Sequence, residues 1–321
     1  MCFGDGRGLF DGMKTVLITH EDCLDHVTPP GHPEQVARMD AVWRALDGLD
    51  LTRVTAPMAA RDDVLRCHPV DYLDALEKAA PEEGWVSLDA DTHMSRGSLA
   101  AAWRGAGGAV RAVDMVLGGE ARNAFVAMRP PGHHAETATA MGFCFLGNVA
   151  IAAKHALEHH GLSRVAIVDF DVHHGNGTQD LVESDPRILF CSTHQSPLYP
   201  GTGAASETGV ADNVVNVPLP EGTKGAAFRA EVEAKVLTRV ADFAPELILI
   251  SAGFDAHADD PLAGLSLVEG DFAWITEALC DLAADLCHGR VVSCLEGGYD
   301  LEALGRSAAA HVTVLMEHAN G

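Results

Sequence analysis

Basic side chains are scarce in this sequence: 22 Lys and Arg stand against 46 Asp and Glu in 321 residues, a formal net charge of -24. Such a balance repels nucleic acid and attracts cationic substrates or partners, although an acidic surface kept for solubility explains it equally well. No run approaches the roughly 20 consecutive apolar residues of a membrane span. The eight cysteines, at positions 2, 23, 67, 144, 191, 280, 287 and 294, contain no C-x-x-C pair. Their scatter argues against a disulfide framework and a zinc finger, and leaves reduced, mostly buried thiols. Linkers and internal repeats are lacking. Residues 1–12, rich in Gly and Asp, carry neither the apolar core nor the cleavage pattern of a signal peptide. They read as a frayed extension of a cytoplasmic protein.

What is there is an alternation. Short apolar runs over 15–19, 123–128, 165–168, 187–192, 214–217, 246–251 and 290–295 read as strands. Helical spacing covers 34–46, 62–80 with Pro69 in a first turn, 98–117, 148–160, 225–243, 269–287 and 301–317, whereas 87–93 is polar and irregular. Strands alternating with helices at this spacing predict an α/β fold: a single doubly wound, mostly parallel sheet flanked by helices, with 13–321 as one domain. His159 and His160 end a predicted helix, where cations are favoured, and take a structural role there.

The chemistry gathers where strands end. Val165 to Val168 are continuously apolar, as in a strand buried on both faces. The chain then becomes Asp169-Phe-Asp-Val-His-His-Gly-Asn-Gly177. Alternation places Asp169, Asp171 and His173 on one side of the strand's carboxyl end, the edge where ligands bind in open α/β sheets. Two carboxylates and an imidazole there suit a divalent cation. A single Asp-x-His at a strand end is more often a hydrogen-bonded loop start, but other strands also end in polar, Gly-rich turns: Arg129 to Glu136, Ser192 to His194, Ser251 to Pro261 and Glu296 to Asp300. One composite site explains all of them better than coincidence.

The combination of PPGHH at 130–134, DFDVHHGNGTQ at 169–179, SAGFDAH at 251–257 and EGGYD at 296–300 resembles the zinc-dependent histone deacetylase family. Asn176 and the Gly-Phe-Asp-Ala form are similar to its class II branch and the bacterial deacetylase-like amidohydrolases; acetylpolyamine amidohydrolases share the fold and the catalytic pieces. The resemblance implies an arginase/deacetylase-like sheet and hydrolysis of a linear acetyl or acyl amide. It implies a zinc ion, or ferrous iron in the cell, held by Asp171, His173 and Asp255. His134 would be general base and acid, His133 an electrostatic partner oriented by Asp169, Asn176 the support behind His134, and Tyr299 the oxyanion donor. Phe143 and Tyr199, with Gly142 beside them, would wall a tunnel for the acyl-lysine stem; Arg38 would face an inner acetate-release cavity; Leu262 would sit at the rim. A structural potassium ion is implied near Asp169, Asp171, His173 and Ser192.

Phe143 in plain core packing, Arg38 in a surface salt bridge and Tyr299 as an ordinary loop tyrosine are the alternatives to these roles. A two-manganese ureohydrolase shares this kind of sheet but needs a carboxylate two residues after the metal-binding histidine, where this chain has Gly175. A non-enzymatic acyl-ligand sensor fits poorly with both histidines, all three ligands and Tyr299 in place. The expected partner is acetylated lysine in a protein or peptide, with acetylated polyamine as the alternative; nucleic acid and membrane are not expected, and an oligomer remains open. Leucine at 262, where a polyamine-selective relative carries an acidic gatekeeper, favours acetyl-lysine.

Overall fold

The computed structural model describes residues 14–320; the extension expected over 1–12 lies outside them. The strands are β1 (Val16–Thr19), β2 (Thr52–Thr55), β3 (Trp85–Ser87), β4 (His93–Ser95), β5 (Asn123–Val126), β6 (Val165–Asp169), β7 (Ile188–Gln195), β8 (Val214–Leu219), β9 (Leu247–Ala252) and β10 (Val291–Leu295). Eight of them form one sheet in the order β2-β1-β5-β10-β9-β6-β7-β8, parallel throughout. β3 and β4 make a separate antiparallel hairpin. The inner strands are continuously apolar because both faces are covered. Along β5 successive side chains serve opposite layers. Asn123 donates to Leu315 O and the Phe125 ring meets His311, both of α10 (Leu301–Asn320). Val126 instead lies under Gly108 of α4 (Ser98–Leu117), where a Cβ would come within 3.1 Å of its methyl. With α10 pack α1 (Ala37–Leu46) and α9 (Glu269–Cys287); with α4 packs α5 (Asn148–Glu158).

Several elements differ from the sequence reading. The first helix begins at Ala37 rather than at 34, because the Glu34 side chain is drawn into the interior by two arginines. Pro69, extended at φ -71 and ψ 157, divides the second helical stretch into α2 (Arg61–Val64) and α3 (Val70–Ala79). The irregular stretch 87–93 is the turn of the β3–β4 hairpin with its flanking residues. β2, Thr-Arg-Val-Thr, is a largely exposed edge strand without the apolar run that marks its neighbours. The long helix expected over 225–243 is α7 (Gly225–Glu231), a π-helical stretch (Val232–Leu237) and α8 (Thr238–Phe243).

The topology places the site. After β6 the chain passes through α6 (Asn176–Val182) outward to β7 and β8, whereas after β9 it passes through α9 the other way, to β10. β6 and β9 are neighbours, in register from Val165↔Leu247 to Asp169↔Ser251. Crossovers leaving adjacent strands in opposite directions open a crevice at their carboxyl ends, the topological switch point of an open sheet. Asp171 and His173 leave from β6 and Asp255 from β9, on the two sides of that crevice.

Beside it lies a buried ionic cluster. Glu34, Arg38 and Arg129 have no solvent exposure. The Glu34 carboxylate accepts from Arg129 Nε at 2.7 Å and Nη2 at 2.5 Å and from Arg38 Nη1 at 3.0 Å, and lies 3.2 Å from His26 Nε2. Burial alone would raise its pKa, but Arg129 and His26 outweigh that and hold it well below the usual carboxylate range. Arg129 also donates to Cys23 O and His26 O, so the cluster ties the loop after β1 to the loop after β5. Replacing Glu34 by glutamine keeps the shape and strands two buried guanidinium charges. We expect Glu34→Gln to lose about 3–5 kcal/mol of stability in urea unfolding; a loss below about 1 kcal/mol, typical of a surface pair, would show that the cluster does not hold these loops.

Candidate active site

Asp171, His173 and Asp255 each present one ligand atom within 4.8 Å of the others, and all three are buried. His173 Nδ1 lies 3.1 Å from Asp171 Oδ1 and 3.2 Å from Asp255 Oδ2. The remaining carboxylate oxygens are held by backbone: Val172 N donates to Asp255 Oδ1 at 2.8 Å and Gly297 N to Asp171 Oδ2 at 2.9 Å. Among the described residues Asp255 Oδ2 is buried without a well-formed hydrogen bond, its one close neighbour being His173 Nδ1, which is shared with Asp171, a costly state for a carboxylate oxygen unless a cation takes it. Glycine at 297 and at 253 is required by space, since a Cβ at 297 would run into both carboxylates and one at 253 into Asp171. Burial and the adjacent Asp171 charge push the Asp255 carboxyl up to about 7. For His173 burial acts downward, but Asp171 and Asp255 outweigh it and raise the imidazole to about 10. Two carboxylates pressed together in a dry crevice repel, and a dication between them relieves the repulsion and takes the imidazole nitrogen in place of a proton. One nitrogen and two oxygens suit zinc or ferrous iron. These residues fit a divalent ion.

His133 and His134 leave the end of β5 side by side, ring centroids 4.0 Å apart. His133 Nδ1 is 2.9 Å from Asp169 Oδ2, and its Nε2 is 3.8 Å from Asp171 Oδ2. His134 Nδ1 is 2.7 Å from Asn176 Oδ1, and the Asn176 amide donates to Glu136 Oε1 at 2.7 Å. That chain assigns the Nδ1 proton and leaves Nε2 as the free acceptor. The two rings diverge in basicity. Burial lowers both, but the Asp171 and Asp169 charges carry His133 well above 6.5, while His133 and His173 add to burial and hold His134 well below it. A charged ring beside a neutral one divides donor from acceptor at neutral pH.

Tyr299 enters from the turn after β10. Its ring meets Phe143 edge to face at 5.8 Å, and the Arg38 guanidinium lies 5.1 Å from its centroid. Burial and the Asp255 charge push the phenol well above 10, so it remains a donor. Arg38 is buried behind this turn, not in a surface pair: Nε donates to Gly298 O at 2.7 Å and Nη2 to Glu296 O at 2.5 Å, which fixes the turn under Tyr299. It is absent from the pocket wall. Two positioning residues were missed by the sequence reading. Asp260 Oδ2 accepts from Tyr299 N at 2.8 Å and its Oδ1 from Leu262 N at 3.0 Å. Glu296 Oε2 accepts from Gly132 N at 2.7 Å and His133 N at 3.1 Å, and its Oε1 from Ser251 at 3.1 Å. Only an Asx-type spacing at Asp260-Pro-Leu262 hinted at the first.

These groups open onto a pocket of about 250 Å³ lined by Pro33, Asp91, His134, Gly142, Phe143, His173, Leu198, Tyr199, Leu262 and Tyr299. Phe143 (φ 69) and Gly142 (φ 54) both have left-handed backbones, and a Cβ at 142 would strike the His134 ring. The Phe143 backbone N–H is held by Thr92 Oγ1 at 3.0 Å and its ring rests on His32, centroids 4.8 Å apart. Tyr199 lines the same pocket, 5.2 Å from the His134 ring, and Leu262 is 36% exposed at the rim. Ser192 lies outside the pocket, paired in register with Asp169 and bonded to His194 at 3.0 Å. Gly175 has no room for a side chain, because a Cβ there would run into Asp169. A second acidic ligand therefore has no place at that position.

An apolar slot ends in a cation site, a neutral imidazole and a protonated phenol, the parts needed to activate water and stabilise an oxyanion. A model of the histone deacetylase domain matches residues 32–315. The chain is 41% identical over 301 residues to histone deacetylase 10, chloroplastic, of Oryza sativa subsp. japonica, covering 87% of this chain and 68% of that protein. It is 40% identical over 311 residues to the histone deacetylase-like amidohydrolase of Pseudomonas aeruginosa, covering 89% and 82%. The crystal structure of the HDA15 HD domain superposes with a TM-score of 0.90 at 33% identity, covering 96% of this chain and 90% of that one. With the domain match running from before the first helix into the last, the chain belongs to the histone deacetylase family, as a deacetylase or amidohydrolase of that group.

Proposed function

We propose that this chain hydrolyses the acetyl amide of acetylated lysine side chains, releasing acetate and the free amine, with one catalytic zinc or ferrous ion held by Asp171, His173 and Asp255. The observation that carries this reading is a mostly apolar pocket of about 250 Å³ whose wall joins Phe143, Leu198, Tyr199 and Leu262 to the reactive side chains His134, His173 and Tyr299. The ion, when bound, would polarise the amide carbonyl and acidify the attacking water. His134 Nε2 takes the proton from that water and returns it to the leaving amine, its ring held by Asn176. His133 stays charged on Asp169 and lends its field to the developing anion. Tyr299 donates its hydroxyl proton in a hydrogen bond to the carbonyl oxygen as charge builds there. A potassium ion beside Asp169, Asp171, His173 and Ser192 belongs to the same proposal as a structural support. Asp91 at the mouth of the slot favours a second reading, an acetylated polyamine whose distal ammonium meets that carboxylate.

Tyr299→Phe should lower turnover on an acetyl-lysine peptide by roughly 10²–10³, the cost of an oxyanion donor, with metal content and melting unchanged. Asp255→Ala should lose the catalytic ion and activity together. Near-normal turnover in either variant removes that residue from the mechanism.

The acidic limb of kcat/KM reports the base, and because His134 is held well below 6.5 that limb should lie below pH 6.5. Asn176→Asp places a carboxylate where an amide oxygen now stands 2.7 Å from Nδ1. The new charge favours the imidazolium, so the limb should move to higher pH. An unmoved limb would mean that His134 is not the titrating base.

Substrate choice is checked by comparing kcat/KM for an acetyl-lysine peptide with that for N-acetylated putrescine. The wild type should favour the peptide, and Leu262→Glu should shift the ratio toward the polyamine, because an added carboxylate at the rim attracts a distal ammonium. A tenfold preference of the wild type for the polyamine, about 1.4 kcal/mol in transition-state binding, would make the polyamine the substrate.

A further inference from the structure

Far from the catalytic crevice, three imidazoles converge on one carboxylate. Helix α5 ends in His155-Ala-Leu-Glu-His159-His160, with His155 in its last turn and His159 as its C-cap. Residues four apart share a helix face, and here the His155 and His159 rings stack at 4.8 Å with 15° between planes. His160 turns back to the same place, its ring 5.4 Å from His155 and 5.0 Å from His159. Opposite them, in the last turn of α4, Asp114 presents Oδ1 at 2.8 Å from His155 Nε2 and 2.8 Å from His160 Nε2. One ligand atom from each of the four residues lies within 4.8 Å of all the others.

We propose that Asp114, His155, His159 and His160 form a second, non-catalytic site for a divalent transition-metal ion of the zinc type. Three nitrogens and one oxygen make the four-coordinate set such an ion prefers, at bond lengths of about 2.0–2.2 Å. Ligand atoms in that tetrahedron stand about 3.3–3.5 Å apart, so the 2.8 Å contacts must open by roughly half an ångström, within reach of small side-chain rotations. His155 carries a further mark of a ligand: its Nδ1 is 2.9 Å from Asp63 Oδ1 of α2. A carboxylate on the far nitrogen fixes the tautomer, so Nε2 is the atom turned to the metal. Asp63 is in turn paired with Arg66. The ion would join the end of α5 to α4 and, through Asp63, to α2. Without it the same residues serve only as a hydrogen-bonded helix cap.

The test is zinc stoichiometry of the full chain, dialysed against zinc and then against metal-free buffer, with deacetylation measured in parallel. Wild type should hold two ions, and His160→Ala and His159→Ala, both at or beyond the helix end, should each hold one while keeping activity. Asp255→Ala should hold one and lose activity, and zinc should still raise its melting temperature; adding His160→Ala should abolish that rise. A single ion in the wild type that Asp255→Ala loses, or two in both histidine variants, overturns the second site. This inference is independent of the catalytic reading, whose own failure would show as Asp255→Ala retaining both ions.

Discussion

Compensation of buried negative charge is the constraint on which the catalytic edge depends. Glu34, Asp169, Asp171, Asp255 and Glu296 are each no more than 1% exposed, and an unpaired carboxylate at such depth costs several kcal/mol. Arg129 and Arg38 answer Glu34, His133 answers Asp169, and backbone N–H groups answer Glu296. Burial nonetheless raises Glu296 to about 7, a sign that neutral donors only partly make up for lost water. Asp171 and Asp255 share the His173 imidazole, and Asp171 also faces His133. The shortfall falls on Asp255, whose carboxyl is pushed up to about 7, and it marks the place where a dication would fit, at the crevice between the opposed crossovers after β6 and β9.

The same shortage of compensation tunes the reactive groups. His133 sits between two carboxylates and becomes the charged member of its pair; His134, one residue on, faces an amide and two neighbouring rings and becomes the neutral one. The difference is set by the charges around each ring, Asp171 and Asp169 beside His133 and the His133 and His173 imidazoles beside His134. Arg38 links this chemistry to the buried cluster, since one guanidinium bonds Glu34 on one side and the two carbonyls around the Tyr299 turn on the other. The buried cluster and the placement of Tyr299 are thereby coupled through a residue outside the pocket wall.

Much of this was legible in the sequence, and the boundary has a physical cause. Seven of the eight strands of the main sheet were readable because strands covered on both faces are continuous apolar runs, and His, Asp and Tyr at their ends share one edge. β2 escaped because an exposed edge strand needs no such run, and the β3–β4 hairpin because its short polar strands carry neither alternation nor a turn signature. Partnership over long separations was the other gap. Glu34 reads as the start of an amphipathic helix until Arg129, 95 residues away, claims its carboxylate. Asp260 and Glu296 read as loop acids until the backbone N–H groups they receive are known. His159 and His160 read as helix-end cations, which their location supports, but nothing near them in sequence announces Asp114 or Asp63.

On the proposed function, the rim of the slot is where the family's common chemistry would become one substrate preference. Its floor and walls handle an acetyl group and an apolar stem, features that acetyl-lysine and an acetylated polyamine share. Beyond the stem the two diverge: a peptide presents amide N–H groups and a broad apolar flank, a polyamine a lone ammonium. Leu262 offers an apolar side chain without charge, and Asp91 a carboxylate, to the same pocket. Burial and the neighbouring Asp89 raise the Asp91 carboxyl above its usual range. The net charge of -24 draws any cationic molecule toward the protein, lysine-rich proteins and polyamines alike, and so separates neither. On the proposed function, discrimination would fall on the rim, where the apolar Leu262 and the Asp91 carboxylate both line the pocket.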